Sequence, residues 1–214
     1  MQPLNLPAPD LTLIGRSSSV FTRVARIFAA ELDVPYRYQI VTSLTSLQSE
    51  DYGGNPALKL PSMRTPEGLW FGSLNICREL ARRSNANLSV VWPEQLLHPL
   101  LANAQELVLS AMSTEVSLIM SKISQAGGES ADQAKMSKSL GNVMSWLEAN
   151  IHDVLAALAP ARDLSYLEVT LFCLVAHLEF REVLSLVPYA ELNEFRRRFD
   201  ARAACAQTPF HFDA

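Results

Sequence analysis

Cysteine is scarce in this chain of 214 residues, which contains only Cys77, Cys173 and Cys205. Their number is odd, they lie far apart, and no two of them form a C-x-x-C pair. Disulfide frameworks and structural zinc sites need paired or closely spaced cysteines, so the sequence argues against both. We therefore expect a reducing compartment, the cytoplasm, as the location of the protein.

Histidine clusters and long apolar runs are also missing. The four histidines have no second histidine, cysteine or carboxylate at metal-binding spacing, and we predict no metal. No stretch reaches the roughly 18 apolar residues of a membrane helix. The first ten residues lack the basic start and apolar core of a signal peptide. No membrane association is expected.

An excess of basic residues is absent as well. The chain has 18 Lys and Arg against 22 Asp and Glu, a net charge of -4. A nucleic-acid-binding protein needs a basic surface for the phosphates, so nucleic acid is not expected as a partner. The basic run FRRRF at residues 195–199 is typical of a solvated helix face. With 49% hydrophobic residues, the composition indicates a soluble globular protein of one or two domains.

The N-terminal part of the chain predicts alternating strands and helices. An apolar run at residues 11–14 predicts a buried strand, and helical periodicity after Ser19 predicts a helix capped by a serine hydroxyl. Alternation at residues 36–41 predicts a second strand. The sequence TPEG at residues 65–68 supplies a turn proline and glycine between two short apolar strands, which predicts a β-hairpin. A helix follows from Ser73.

The rest of the chain is predicted to be helical. The polar stretch at residues 84–93 interrupts the periodicity, so we expect a linker and a domain boundary near residue 85. Apolar side chains recur at helical spacing from Leu97, in a long helix that ends at Gly127-Gly128, and a second amphipathic helix follows. Ser165 and Glu168 form a capping box before a segment that is apolar on nearly all sides. This segment is predicted to be the buried central helix.

Two sequence patterns resemble the glutathione S-transferase superfamily. The pattern N-P-x-x-K-x-P at residues 55–61, followed by the hairpin and a serine that opens a helix, resembles the glutathione-binding half of these proteins. The run SVFTRVAR at residues 19–26 resembles the motif S-P-F-x-x-x-x-R of their strand-to-helix turn. The resemblance covers essentially the whole chain. It implies a homodimer with a thioredoxin-like domain over residues 1–85 and an all-helical domain over residues 86–214.

The resemblance implies that Ser19 activates the thiol of glutathione, with Ser18 as the alternative because the alignment can slip by one position. A hydroxyl donor and the positive end of a helix both stabilise a thiolate, which lowers the thiol pKa from about 8.5. Without the resemblance, these serines only cap a helix, and both interpretations stay open. Val20 replaces the usual proline, which is favoured but not required in the first helical turn.

The same resemblance implies a binding site for the glutathione tripeptide. The backbone of Leu60, before a cis Pro61, would pair with the cysteinyl part of glutathione. Ser73 would hold the γ-glutamyl carboxylate at a helix N-terminus, and Lys59 would hold the glycyl carboxylate. Gly72 stands where many of these proteins have Glu or Gln. Losing that charge-assisted hydrogen bond costs roughly 1.5–3 kcal/mol, or about ten- to a hundredfold in affinity.

One further motif points to a different class of enzyme. Residues 135–142, KMSKSLGN, reproduce the KMSKS signature of class I aminoacyl-tRNA synthetases. In those enzymes the signature acts with an H-x-G-H element, and none of the four histidines here has that context. Met136 and Leu140 also fit the apolar side of a helix, so we interpret the run as helical.

We therefore expect a glutathione transferase-like protein that uses glutathione as co-substrate. It would transfer the thiol to an apolar electrophilic small molecule bound between the domains. Conjugation, thiol reduction and isomerisation remain open as the reaction. The alternative is a non-catalytic binding or regulatory protein of the same fold, similar to stringent-starvation proteins, and Gly72 is the feature that favours it.

Overall fold

The computed structural model describes residues 10–124 and 130–213. These residues form two compact units. The first contains the described residues up to Asn87 and those from Gln207 onward, and the second runs from Leu88 to Ala206.

The first unit contains a four-stranded mixed sheet with strand order β2-β1-β3-β4. Its elements are β1 (Thr12–Gly15), α1 (Val20–Glu31), β2 (Arg37–Ile40), β3 (Ser62–Thr65), β4 (Gly68–Phe71) and α2 (Ser73–Arg83). Strands β1 and β2 are parallel, and the pairs β1–β3 and β3–β4 are antiparallel. The predicted thioredoxin-like domain, including the hairpin and the helix from Ser73, is confirmed.

The core of the first unit explains why this sequence forms these elements. Leu13 and Ile14 on β1 are buried, and so are Val24, Ile27 and Phe28 on one side of α1. Burial of such a side chain contributes roughly 1.5–3 kcal/mol, so a few of them outweigh the weak helix preference of β-branched residues. Helix α1 packs against α2, and α2 also packs against β3 and β4.

The second unit is mostly helical. Its helices are α3 (Pro99–Ser124), α4 (Ala131–Ala157), α5 (Tyr166–Arg181), α6 (Ala190–Asp200) and α7 (Ala203–Gln207). The expected end of the long helix at Gly127-Gly128 lies outside the described residues. The KMSKS run lies within α4, as its apolar spacing predicts. Among the helices of the described residues, none has an apolar stretch long enough to span a bilayer.

The prediction of an all-helical second domain needs a correction. Strand β5 (Val90–Val91) lies in the stretch interpreted as a linker, and it pairs in parallel with β6 (Leu164–Ser165). Each strand has only two residues, which is too short to show the alternation that marks a strand in a sequence. The pairing holds the start of the second unit beside the start of α5.

Helix α5 is the buried central helix, but its capping box is only half formed. The Ser165 hydroxyl accepts a hydrogen bond from the Glu168 backbone N–H at 3.0 Å, as predicted. The Glu168 carboxylate, however, accepts two hydrogen bonds from Arg162, at 2.7 and 2.8 Å, with one oxygen for each. A bidentate guanidinium is a stronger partner than a backbone amide, so the carboxylate turns toward Arg162.

A buried carboxylate on α3 contacts a buried histidine on α5. Glu115 is fully buried, His177 is nearly so, and Oε1 of Glu115 lies 2.8 Å from Nδ1 of His177. Burial raises the pKa of the Glu115 carboxyl, and the neighbouring His177 opposes that shift. His177 is therefore a core residue with Glu115 as a hydrogen-bonding partner.

The raised pKa of Glu115 gives a prediction about stability and pH. A carboxyl whose pKa is higher in the folded state favours folding at pH values below its ordinary value of 4.5. That contribution is lost as the pH rises through the folded-state pKa. Replacing Glu115 by Gln keeps a hydrogen-bonding group beside His177 and removes the titration. We expect the free energy of unfolding of Glu115→Gln, relative to wild type, to increase from about pH 4.5 toward neutral.

Urea unfolding at a series of pH values measures this difference. Glu115→Ala is the control, because it also removes the hydrogen bond to His177 and should cost roughly 2–4 kcal/mol. A constant difference between wild type and Glu115→Gln across the pH series would contradict the prediction.

Candidate functional site

The register of the sheet brings three chain segments to one edge. Ser62 at the start of β3 pairs with Ile14 near the end of β1 and with Phe71 at the end of β4. The residues that follow β1, precede β3 and follow β4 therefore meet at this edge. They are the segments that the sequence singled out, at Ser17 to Ser19, Leu60-Pro61 and Gly72-Ser73.

The first segment is a turn, residues 16–19, which we call the serine turn. The Ser19 backbone N–H donates to the Arg16 carbonyl at 3.1 Å and closes the turn. The Ser19 hydroxyl then accepts from the Thr22 backbone N–H at 3.2 Å, which makes Ser19 the N-cap of α1. Ser18 is buried, with 7% of its surface exposed, whereas Ser19 is half-buried. Of the two candidate serines, Ser19 is thus the one whose hydroxyl oxygen is at the helix end.

The second segment is the proline loop, residues 55–61. The Leu60–Pro61 peptide is cis, as the resemblance implies. The Asn55 side chain shapes the loop: its Nδ2 donates to the Lys59 carbonyl at 2.8 Å and its Oδ1 accepts from the Ala57 N–H at 3.0 Å. Asn55 is the first residue of the N-P-x-x-K-x-P pattern, but no role for it follows from the sequence alone.

The proline loop is joined to the third segment through the backbone. The Gly72 N–H donates to the Pro61 carbonyl at 3.3 Å, and the Ser62 hydroxyl donates to the Tyr52 carbonyl at 2.7 Å. Lys59 is exposed. These bonds hold the backbone around Pro61 in one geometry without using the side chain of Lys59.

The third segment is the start of α2. Gly72 has φ +81° and ψ 141°, a backbone conformation that favours glycine, and a Cβ placed on it would meet no other atom within 4 Å. Ser73 is the first residue of α2 and is buried. The α2 N-terminus offers backbone N–H groups and a partial positive charge, which suit a carboxylate. The serine side chain adds a hydroxyl at the same place.

A residue far along the chain also contacts the serine turn. The Asp213 carboxylate accepts a hydrogen bond from the Ser17 backbone N–H at 2.8 Å. Nearby, burial raises the pKa of the Tyr38 phenol to about 12, and Asp213 adds to this shift while Ser17 and Arg26 oppose it. Ser17 and Asp213 are 196 positions apart in the sequence. Sequence reasoning missed Asp213, because a lone carboxylate after the run PFHF at residues 209–212 carries no recognisable pattern.

Side chains that could bind a metal ion do not form a cluster in the described part of the chain. Across residues 10–124 and 130–213, no cluster of three or more His, Cys, Asp or Glu side chains could hold a metal ion. The three cysteines all lie within these ranges, and they are buried thiols outside any disulfide.

Comparisons with known proteins concern the sequence of the first unit and the fold of the chain. Residues 13–88 match the family model of the glutathione S-transferase N-terminal domain. No protein with a curated description matches the chain. Residues 13–88 are therefore identified as a glutathione S-transferase N-terminal domain.

Solved structures of similar fold cover nearly the whole chain. A glutathione S-transferase from Methylobacillus flagellatus, crystallised with glutathione, is 18% identical, with a TM-score of 0.73 over 93% of this chain and 98% of that one. A glutathione transferase family member from Pseudomonas fluorescens with bound glutathione is 16% identical, with the same TM-score and coverage. A glutathione S-transferase from Methylobacterium radiotolerans, in complex with glutathione sulfonate, is 18% identical, with a TM-score of 0.71 over 95% and 97%.

The N-cap role of Ser19 gives a prediction about stability. Removing a serine N-cap costs about 1 kcal/mol when alanine replaces it, but only a few tenths when glycine does. We therefore expect Ser19→Ala to lower the free energy of unfolding by about 1 kcal/mol and Ser19→Gly to lower it much less. Urea unfolding of both variants measures the difference. Equal losses in the two variants would mean that Ser19 does not act as the cap.

Proposed function

We propose that this protein binds glutathione and transfers its thiol to an apolar electrophilic small molecule. The observation that carries the proposal is the meeting of Ser19, Leu60-Pro61 and Ser73 at one sheet edge, which follows from the register of β3 with β1 and β4. A thiol tripeptide has three polar parts, and this edge offers a separate partner for each. The solved structures with bound glutathione support the same ligand.

Ser19 is proposed to stabilise the glutathione thiolate. Its oxygen accepts the Thr22 N–H, and a hydroxyl can accept and donate at the same time, so its proton stays available for a thiolate. The positive end of α1 acts in the same direction, because a helix N-terminus favours a nearby negative charge. A lowered thiol pKa raises the fraction of the nucleophilic thiolate at neutral pH.

The remaining residues are proposed to hold the peptide. The Leu60 backbone would pair with the cysteinyl part in the manner of a short added strand, because β3 begins immediately after Pro61. Ser73 and the α2 N-terminus would receive the γ-glutamyl carboxylate. Lys59 would attract the glycyl carboxylate from its exposed position.

The second candidate function is a non-catalytic binding or regulatory protein of the same fold, and Gly72 favours it. Where the resemblance implies a Glu or Gln side chain, this chain presents open space beside α2. Without that group the glutathione affinity is expected to be about ten- to a hundredfold lower. A measurement of catalytic turnover separates the two candidate functions, because only the transferase requires turnover.

Assembly and location are part of the proposal. We propose a homodimer in the cytoplasm, a location that agrees with three buried cysteines that all lie outside disulfides. Light scattering of the purified protein would decide the oligomeric state.

The enzyme proposal is tested by glutathione titration and by conjugation of an aryl halide. In wild type we expect heat on titration with glutathione and thiol-dependent turnover. In Ser19→Ala and Ser19→Gly we expect kcat to fall about a hundredfold, because both variants lack the hydroxyl that stabilises the thiolate. Ser18→Ala should lose far less, since Ser18 does not occupy the helix end.

The pair of Ser19 variants separates chemistry from folding. Glycine preserves most of the cap and alanine does not, so an effect through helix stability would spare Ser19→Gly. Absence of both heat and turnover in wild type would overturn the proposed function. A larger loss in Ser18→Ala than in the Ser19 variants would move the catalytic role to Ser18.

Gly72 is tested by restoring a side chain. Gly72→Gln supplies an amide where the resemblance implies one, and the open space beside the Gly72 Cα accommodates it. We expect the Kd for glutathione to fall about tenfold, since a hydrogen bond to a charged group contributes roughly 1.5–3 kcal/mol and part of this is lost to ordering.

Gly72→Ala is the matched control for this experiment. Both variants impose a side chain on a backbone at φ +81°, so both should lose roughly 1–3 kcal/mol of stability. Only Gly72→Gln adds a polar group. Isothermal titration of the three proteins gives the result, and equal affinities for the Gln and Ala variants would contradict the prediction.

A further inference from the structure

The C-terminal segment, residues 208–213, lies within the first unit and ends at the serine turn. The Asp213 side chain is only 2% exposed, and its Oδ2 accepts the Ser17 N–H at 2.8 Å. A buried carboxylate is costly unless donors surround it, because it loses its hydration. This carboxylate is placed on the one turn that carries the two candidate catalytic serines.

The segment is anchored before it reaches the turn. The Arg23 guanidinium lies over the Phe210 ring, 4.3 Å from the ring centroid, and Arg23 is buried. Thr208 is also buried. A cation over an aromatic face is attracted to the ring, and more strongly when it is desolvated, as the buried Arg23 is. Arg23 lies on α1, so the segment contacts the same helix that Ser19 caps.

The second oxygen of the Asp213 carboxylate, Oδ1, is buried and has no hydrogen-bond partner among the described residues. His211 Nε2 lies 3.5 Å from this oxygen, at ion-pair distance, and His211 is exposed. Tyr38 lies near this carboxylate, because Asp213 contributes to the raised pKa of the Tyr38 phenol. The Arg26 guanidinium lies over the Tyr38 ring at 5.0 Å. Asp213 is therefore held by its hydrogen bond to the serine turn, with His211 at ion-pair distance.

We propose that Asp213 is a positioning residue for the serine turn. Its carboxylate satisfies the Ser17 N–H, and the Ser19 N–H closes the same turn onto the Arg16 carbonyl at 3.1 Å. Together the two bonds fix the direction in which the turn delivers the Ser19 hydroxyl. The catalytic part of this inference rests on the proposed function, whereas the ordering of the turn does not.

The test compares Asp213→Ala with Asp213→Asn. Both variants remove the negative charge, but only asparagine keeps an oxygen that can accept the Ser17 N–H. The comparison therefore isolates the hydrogen bond from the charge. With glutathione and an aryl halide, we expect Asp213→Ala to lose roughly tenfold in kcat with less than a threefold change in the KM for glutathione. Asp213→Asn should recover most of the lost kcat.

A second readout does not depend on glutathione. Amide hydrogen exchange by NMR reports whether the Ser17 N–H is protected in the free protein. We expect Asp213→Ala to increase the exchange rate of this amide at least tenfold, while Asp213→Asn keeps it near the wild-type rate. If wild type shows no turnover but Ser17 protection follows this pattern, the proposed function fails and the positioning of the turn stands.

Phe210→Ala covers the case in which Asp213→Ala does not fold. It removes the ring under Arg23, leaves Asp213 in place, and should loosen the Ser17 amide in the same direction with a smaller effect. The inference is overturned if Asp213→Ala keeps both its kcat and its Ser17 protection. It is also overturned if Asp213→Asn is as impaired as Asp213→Ala, since the charge and not the hydrogen bond would then be responsible.

Discussion

The pairing of β3 with both of its neighbours is the constraint on which the candidate site depends. Ser62 is paired on one side with Ile14 and on the other with Phe71, so the segments beyond these residues share one edge. A shift of one residue in either pairing would turn every side chain of the strand to the opposite face and separate the segments. The register is protected by the burial of Leu13 and Met63, which have to face the core. Packing of apolar side chains thus decides where the polar groups of the site meet.

Two helices begin at that edge, and this gives the site its electrostatic character. Both α1 and α2 present their N-termini there, one after the serine turn and the other after Gly72. Each N-terminus carries a partial positive charge and backbone N–H groups without helical partners. The chain as a whole has a net charge of -4, so attraction of an anionic ligand is a local property of the edge. Under the proposed function, glutathione, which has carboxylates at both ends and a thiol that ionises, is the anion that this local field would attract.

Most of the fold could be predicted from the sequence because its signals are local. The hairpin follows from a turn proline and glycine, and the cap of α1 follows from a serine before a periodic apolar run. The contacts that could not be predicted are of two kinds. Some join residues that are far apart in the sequence, and others replace a bond that the local sequence pattern predicts. Asp213 reaches Ser17 across 196 positions, and Glu168 forms its side-chain bonds with Arg162 although the spacing predicted a bond to the backbone of Ser165. Neither contact produces a periodic pattern in a single sequence, so neither could be predicted from it.

Gly72 shows how backbone conformation and ligand binding are connected at this edge. At φ +81° glycine is the residue of lowest strain, so its presence favours the stability of the turn into α2. A side chain there would add a ligand contact and would also hold the backbone under strain. The chain has glycine, the residue without this strain. Under the proposed function, the ligand is then held by the α2 N-terminus, Ser73 and the backbone beside Pro61. These groups are all fixed by the sheet register, so whatever affinity they give needs little ordering on binding.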